Sequence, residues 1–314
     1  MSFENIIGHE TIKSQIENSI VSGKFSHAHL ITGEDGLGKS LIGREIALKI
    51  LGKETNRAYV DIMEWRTGKN KQSIGVDDIR AIIKEVNKKP YEGDKKVVIV
   101  YEAHKMTAEA QNAFLKTIEE PPKGVTIILL SENLELILET IKSRCQIHKL
   151  KRLNLVEMRE YVTREYPYLE EMEIRQVITF SEGIPGRSKF FLDDEAFKNL
   201  RNTIIKILLL LNGKEKHIVK EYEEFFYKYK DQWEEVLSCF VSYVRDVIVY
   251  KEMGKSEVII NNDKIEEIKE LSNIYSFKEL SKIVDIINDV REKLERRVNS
   301  ALAFNMMLLK MQEV

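Results

Sequence analysis

Two kinds of hydrophobic pattern divide the chain. Up to about Leu150, short apolar runs rich in β-branched residues alternate with stretches of helix length. The runs His29–Thr32, Tyr59–Ile62, Val97–Tyr101, Thr126–Leu130 and Gln146–His148 predict strands. Ser40–Leu51, Asp77–Lys88 and Thr107–Glu120 predict helices between them, with Asp77 or Asp78 as a cap and Pro121-Pro122 as a stop. A strand that runs parallel to its predecessor needs a crossover helix. The alternation therefore predicts a five-stranded parallel sheet covered on both faces.

Beyond Leu153 the apolar residues recur every three or four positions, as on helices: Val156 and Tyr161; Ile174, Val177 and Ile178; Ile204, Ile207, Leu208 and Leu211. The most regular stripe is Leu280, Val284, Ile287, Val290, Leu294, Val298 and Leu302. Turns are expected at Gly183-Ile184-Pro185-Gly186 and at Asn212-Gly213. With five prolines and no low-complexity segment, no long flexible linker is expected. The pattern predicts an α/β domain over 1–160, a small helical domain over 161–200 and a helical C-terminal domain over 201–314.

Composition narrows the class without choosing a function. The 314 residues are 43% hydrophobic and 32% charged, too apolar for a disordered chain. A formal net charge of −2 argues against a surface built throughout to neutralise nucleic-acid phosphate. Cys145 and Cys239 are too few for a disulfide framework or a four-cysteine zinc site. The start MSFENIIGHE lacks the basic and apolar regions of a secretory signal. The most apolar run, Ile204–Leu211, contains Lys206 and is far shorter than the ~18 residues of a membrane helix. A soluble, cytoplasmic protein without membrane attachment is expected.

The sharpest chemical signal is Gly33-Glu34-Asp35-Gly36-Leu37-Gly38-Lys39-Ser40, between a predicted strand and a predicted helix. Gly33, Gly36 and Gly38 let backbone N–H groups close around phosphates, and the helix N-terminus favours their charge. Lys39 reaches the terminal phosphates and Ser40 offers a hydroxyl to Mg²⁺. A triphosphatase also needs acids at the end of a later strand. In Val97-Val98-Ile99-Val100-Tyr101-Glu102-Ala103-His104 the metal-holding Asp is missing: Tyr101 stands there, followed by Glu102. A phenol is a poor Mg²⁺ ligand beside a carboxylate, so fast hydrolysis by this chain alone is not expected. Glu102 either orients water or is an ordinary carboxylate at a strand end. Arg144, in Ser143-Arg144-Cys145, reads by itself as a cation favourable to the end of a short helix over Leu134–Lys142.

Several segments together resemble the AAA+ subunits of bacterial clamp loaders: FENIIGHE, SHAHLITGEDGLGKS, MTAEAQNAFLKTIEEPP, ILLSENLELILETIKSRCQ and GIPGRS, from residue 3 to about 190. The resemblance implies a P-loop AAA+ domain, an all-α lid and an all-α C-terminal collar. It implies a stator subunit in place of a motor, for three reasons. Tyr101 replaces the metal-binding Asp of the motors. The turn Gly183–Gly186 puts a glycine where they carry a nucleotide-sensing arginine, with Arg187 one residue later. Leu51–Tyr59 has no cysteine, so no zinc is expected. The intact loop leaves ATP or ADP as a cofactor, with Mg²⁺ only when nucleotide is bound. Arg144 becomes a trans-acting arginine finger for a neighbour's ATP, typically worth ~10³–10⁵ in rate. Ser131 takes the γ-phosphate-sensing position, or is a plain strand-end serine.

The implied partners are the gamma/tau motor and delta subunits, and through them the sliding clamp and primed DNA. Alternatives are a self-sufficient motor ATPase and a small-molecule phosphotransferase. His27, His29 and His104 lack metal-ligand spacing and read as structural or solvated, and Trp65 and Trp233 as packing residues. Lys69–Lys71, Lys88-Lys89 and Lys95-Lys96 read as loops in water, with DNA-backbone contact as the alternative. The Leu280–Leu302 stripe serves either an internal core or subunit packing.

Overall fold

The computed structural model describes residues 3–54, 57–68, 71–193, 195–211, 218–230, 232–254, 258–296 and 298–314. The turn expected at Asn212-Gly213 and most of Lys69–Lys71 lie outside them. The chain gathers into two compact units, Met1–Tyr168 with Ser181–Arg187 and Leu169–Phe180 with Ser188–Val314.

The first unit is built on five parallel strands: β1 (Ala28–Thr32), β2 (Ile62–Trp65), β3 (Lys96–Val100), β4 (Val125–Ser131) and β5 (Gln146–Lys149), in the order β2-β3-β4-β1-β5. Its helices are α1 (Glu10–Val21), α2 (Lys39–Leu51), α3 (Val76–Val86), α4 (Ala108–Glu119), α5 (Glu139–Lys142) and α6 (Leu155–Glu165). Strands β1, β3 and β4 are buried along their whole length, which is why they read as unbroken apolar runs. Successive side chains go to opposite faces. Val98, Val100, Ile127 and Leu129 pack with Ile79, Ile82, Phe114 and Ile118 of α3 and α4. Val97, Ile99, Ile128 and Leu130 pack with Ile16, Ile42 and Ile46 of α1 and α2.

The five-stranded parallel sheet is the one expected, with local corrections. Strand β2 begins at Ile62, where the predicted strand ends. Asp61 is buried, and its carboxylate accepts the N–H groups of Tyr91 and Glu92 at 2.7 and 2.8 Å, holding the preceding segment out of the sheet. Helix α3 is capped at Gly75, and neither Asp77 nor Asp78 is the cap. Asp78 stands in the first turn and accepts the Gly75 N–H at 3.1 Å. Helix α5 is shorter than Leu134–Lys142 because side chains take its upstream amides: Asn133 accepts from Glu135 N, and Gln111 from Leu138 N. Lys96 is buried, not solvated, its ammonium donating to the Glu85 carbonyl at the end of α3 (2.6 Å). Val156 is exposed, and Met158 and Val162 carry the buried face of α6.

The second unit is helical: α7 (Glu171–Ser181), α8 (Pro185–Asp193), α9 (Glu195–Leu211), α10 (Ile218–Lys228), α11 (Trp233–Met253), α12 (Ile265–Ile274), α13 (Phe277–Glu295) and α14 (Ser300–Gln312), with the first turn of α8 and Ser181 belonging to the first unit. Pro185 opens α8, so the turn predicted over Gly183–Gly186 ends at Ile184. The stripe Leu280–Leu302 is broken between α13 and α14. The interruption changes the helical phase, so Val298 and Leu302 are exposed while Ala303, Phe304, Met307 and Leu308 are buried. Inside the unit, the fully buried Asp246 accepts the N–H groups of Ile260 and Asn261, and Asn261 accepts from Arg201 of α9. No helix of the described residues is long and apolar enough to cross a membrane.

A buried histidine pair joins β1 to β5. His29 Nδ1 lies 3.0 Å from His148 Nε2, and His29 Nε2 lies 2.9 Å from the Ser26 carbonyl. A carbonyl only accepts, so Nε2 of His29 holds its proton and His148 donates to the bare Nδ1. Phe25 stacks on His29 at 3.8 Å. Burial pushes both imidazoles down to about 4. Unfolded histidines titrate near 6.5, so between those values the unfolded chain binds more protons. Stability is therefore complete above pH 6.5 and falls as pH drops toward 4, by up to about 3 kcal/mol for the first proton. Urea unfolding followed by circular dichroism across pH 7 to 4 checks this, and His148→Gln is expected to flatten the profile. An equally steep profile in that variant would place the acid sensitivity elsewhere.

Candidate functional site

Strand β1 ends at Thr32 and the chain turns through residues 33–38 into α2. Gly36 and Gly38 have φ of 83° and 88°, left-handed values that admit glycine readily. Their use lets the loop curl over the N-terminus of α2. Lys39 is the first residue of α2 and is buried, its ammonium donating to the Gly33 and Glu34 carbonyls at 2.8 Å each, with the Asp35 carboxylate 3.9 Å away. Burial lowers its pKa, while the charges of Glu132 and Asp35 act in the opposite sense. Ser40 is exposed in the first turn of the helix. The glycines, Lys39 and Ser40 are thus brought together in one turn, with the geometry that suits an anion.

That turn is held from outside by residues 182–187. The Gly186 N–H donates to the Gly36 carbonyl at 3.0 Å. A Cβ on Gly186 would stand 2.6 Å from Gly36 Cα, and one on Gly36 would stand 2.8 Å from Ile184 Cγ2. Ile184 is buried in the same core as Leu37. Glu34 receives two bonds from Arg152, at 2.7 and 2.6 Å, and these hold its carboxyl below the usual range. Arg152 also reaches Glu182 at 3.4 Å, and Arg187 is engaged by the same Glu182 at 3.0 Å. His9 Nε2 lies 3.2 Å from the Leu37 carbonyl, a contact for which the sequence gives no signal.

The end of β3 departs from a hydrolytic centre. Tyr101 continues the alternation of Val97 and Ile99, so its ring joins the core on the α1/α2 face. Its hydroxyl donates to Glu64 Oε2 at 3.2 Å, Arg44 pairs with the same carboxylate, and the Arg66 guanidinium lies 3.6 Å from the ring centroid. Burial first, then the Glu64 charge, raises the phenol pKa, so Tyr101 stays protonated. Glu102, at φ 51°, is paired with Lys105. Burial opposes its ionisation, yet that partner keeps its carboxyl below the usual range.

Ser131 is fully buried, and its hydroxyl donates to the Asn133 carbonyl at 2.8 Å, while its own carbonyl accepts the Gly33 N–H at 3.2 Å. The next side chain, Glu132, acts by its charge on Lys39, together with Asp35 and Glu34. Its N–H donates to His104 Nδ1 at 3.2 Å, and burial lowers that imidazole's pKa. A polar residue just past Ser131 is the only trace of Glu132 in the sequence.

Arg144 stands apart from the loop, beyond α5. Its Nε donates to Glu119 Oε2 at 3.0 Å and its Nη1 to the Thr140 carbonyl at 3.1 Å, with the side chain about one-third exposed. The segment leading into α5 is fixed by Gln111. This buried amide donates to the Met106 and Leu136 carbonyls (3.2 and 2.9 Å) and accepts from Leu138 N (2.8 Å). Cys145 beside Arg144 is no nucleophile, since burial pushes its thiol up to about 12.

Residues 8–154 match the family model described as DNA polymerase III, delta subunit, and residues 195–313 match the model for the C-terminal part of that subunit. The DNA polymerase III subunit tau of Bacillus subtilis is 27% identical over 98% of this chain and 61% of its own length. The delta' subunit of the same organism is 25% identical over 94% of both chains. A gamma subunit from Buchnera aphidicola subsp. Baizongia pistaciae is 30% identical over 60% of this chain and 58% of its own. The chain thus spans about three-fifths of the length of these tau and gamma relatives. A solved gamma subunit-related protein of Thermotoga maritima is similar at 20% identity, over 95% of this chain and 99% of that one, with a TM-score of 0.46.

The contact between Gly36 and Gly186 is directly testable. Gly186→Ala forces the loop and the turn apart, and a loss of about 1–3 kcal/mol is expected in urea unfolding. Unchanged stability would mean that the two backbones do not meet.

Proposed function

The chain belongs to the clamp-loader subunits of the DNA polymerase III family, and we propose that within it this protein is the delta-prime subunit, a stator that organises its neighbours. The observation that carries the reading is Tyr101. It occupies the strand end where a motor needs a metal-binding carboxylate, and its hydroxyl is already given to Glu64. A protonated phenol neither holds Mg²⁺ in that place nor accepts a proton from water at neutral pH.

Under this reading the loop is a binding device. The curl of Gly33, Gly36 and Gly38 and the cation of Lys39 suit the phosphates of ATP or ADP, and Ser40 would ligate an accompanying Mg²⁺. Residues 182–187, within the expected lid over 161–200, adjoin the loop through Ile184 and Gly186, and the helices of 201–314 serve as the collar that packs against other subunits. Arg144 is the group offered outward. Placed against the ATP of a neighbouring motor subunit, its guanidinium stabilises charge on the transferring phosphoryl oxygens. The partners are the gamma/tau motor and delta subunits in the cytoplasm, and through them the sliding clamp and primed DNA.

The test is a loader reassembled from motor, delta and this chain, with ATP turnover measured on primed DNA. Arg144→Ala is expected to cost on the order of 10³ at the site it completes. Undiminished turnover would remove the finger from the account.

A further inference from the structure

We propose that Glu119 is a positioning residue for Arg144, an inference that rests on the finger reading above. A guanidinium has five N–H donors in a planar fork. Glu119 takes the Nε donor and the Thr140 carbonyl takes one on Nη1. Nε–H lies on the Nη2 side of the plane and Nη1 on the Cδ side, so the two acceptors hold the guanidinium from different edges, and no hydrogen bond among the described residues engages Nη2. Nη2 is thus left with its donors for an oxygen of a phosphoryl group. An unrestrained arginine would lose much rotamer freedom on reaching such a target, and the Glu119 bond removes part of that freedom beforehand.

The location of Glu119 supports a role beyond its own helix. It is the last residue of α4, followed by Glu120 as the C-cap. Carboxylates are disfavoured at a helix C-terminus, where the backbone dipole presents its negative end. The helix gains nothing from Glu119 until a cation faces it. Both members of the pair are partly exposed, 34% for Arg144 and 54% for Glu119, and exposed pairs contribute little to folding. Helix α4 also carries Gln111, which ties down the segment entering α5. One helix therefore fixes both the base of the Arg144 segment and the direction of its side chain.

The experiment uses the reassembled loader on primed DNA, with Arg144→Ala, Glu119→Ala, Glu119→Gln and the double variant Glu119→Ala/Arg144→Ala. Glu119→Ala is expected to lower kcat about tenfold, with KM for ATP unchanged, because Glu119 is proposed to act through Arg144 alone. Glu119→Gln keeps an acceptor for Nε and is expected to recover most of the rate. The double variant is expected to be no slower than Arg144→Ala alone. Wild-type kcat in Glu119→Ala beside an impaired Arg144→Ala would overturn this proposal and leave the finger standing. A further loss in the double variant would also overturn it, by showing that Glu119 acts through something else. An unimpaired Arg144→Ala would overturn the finger reading itself, and this inference with it.

Discussion

A parallel sheet wrapped by helices on both faces admits apolar side chains along its length and polar ones at its ends. In this protein β1, β3 and β4 are buried from first residue to last, so the chemistry gathers where those strands stop. The loop of Lys39 follows β1, Tyr101 and Glu102 follow β3, and Glu132 follows β4. Even the buried histidine pair obeys the constraint, since each imidazole is neutral and satisfied by a neighbour. The same alternation sends Tyr101 to the α1/α2 side, where its hydroxyl meets Glu64 and its ring meets Arg66.

Backbone proximity is the second organising feature. The loop and residues 182–187 touch through two glycines that leave no room for a Cβ, while Arg152 bridges Glu34 to Glu182 across the same contact. Any phosphate entering the loop does so beside this bridge and beside the charge of Glu132. The loop is thus well shaped for an anion and lies in an acidic neighbourhood. Arg144, by contrast, is free of loop residues and is oriented by another helix altogether. Under the proposed reading, nucleotide binding and rate enhancement fall to different parts of the molecule.

Much of the frame was legible because its signals are local. The glycine spacing before Lys39, the apolar runs of the central strands and the stop at Pro121-Pro122 each act within a few residues. What escaped depends on distant partners. Lys96 looked solvated because its acceptor is the carbonyl ending α3. His29 and His148 meet only after β1 and β5 pair. The break between α13 and α14 turned Val298 and Leu302 outward although their spacing suited one continuous stripe. The carboxylate on Arg144 and the amide of Gln111 were equally invisible, since tertiary packing alone brings them to the segments they hold.

The central claim is that this chain binds nucleotide without carrying the groups to hydrolyse it. Single-turnover hydrolysis by the isolated full chain, with nucleotide binding measured on the same sample, addresses it most directly. The account predicts bound ATP that is recovered intact over many minutes. ATP cleavage at a motor-like rate, abolished by Lys39→Ala, would contradict it and show that a tyrosine at the end of β3 does not disarm the site.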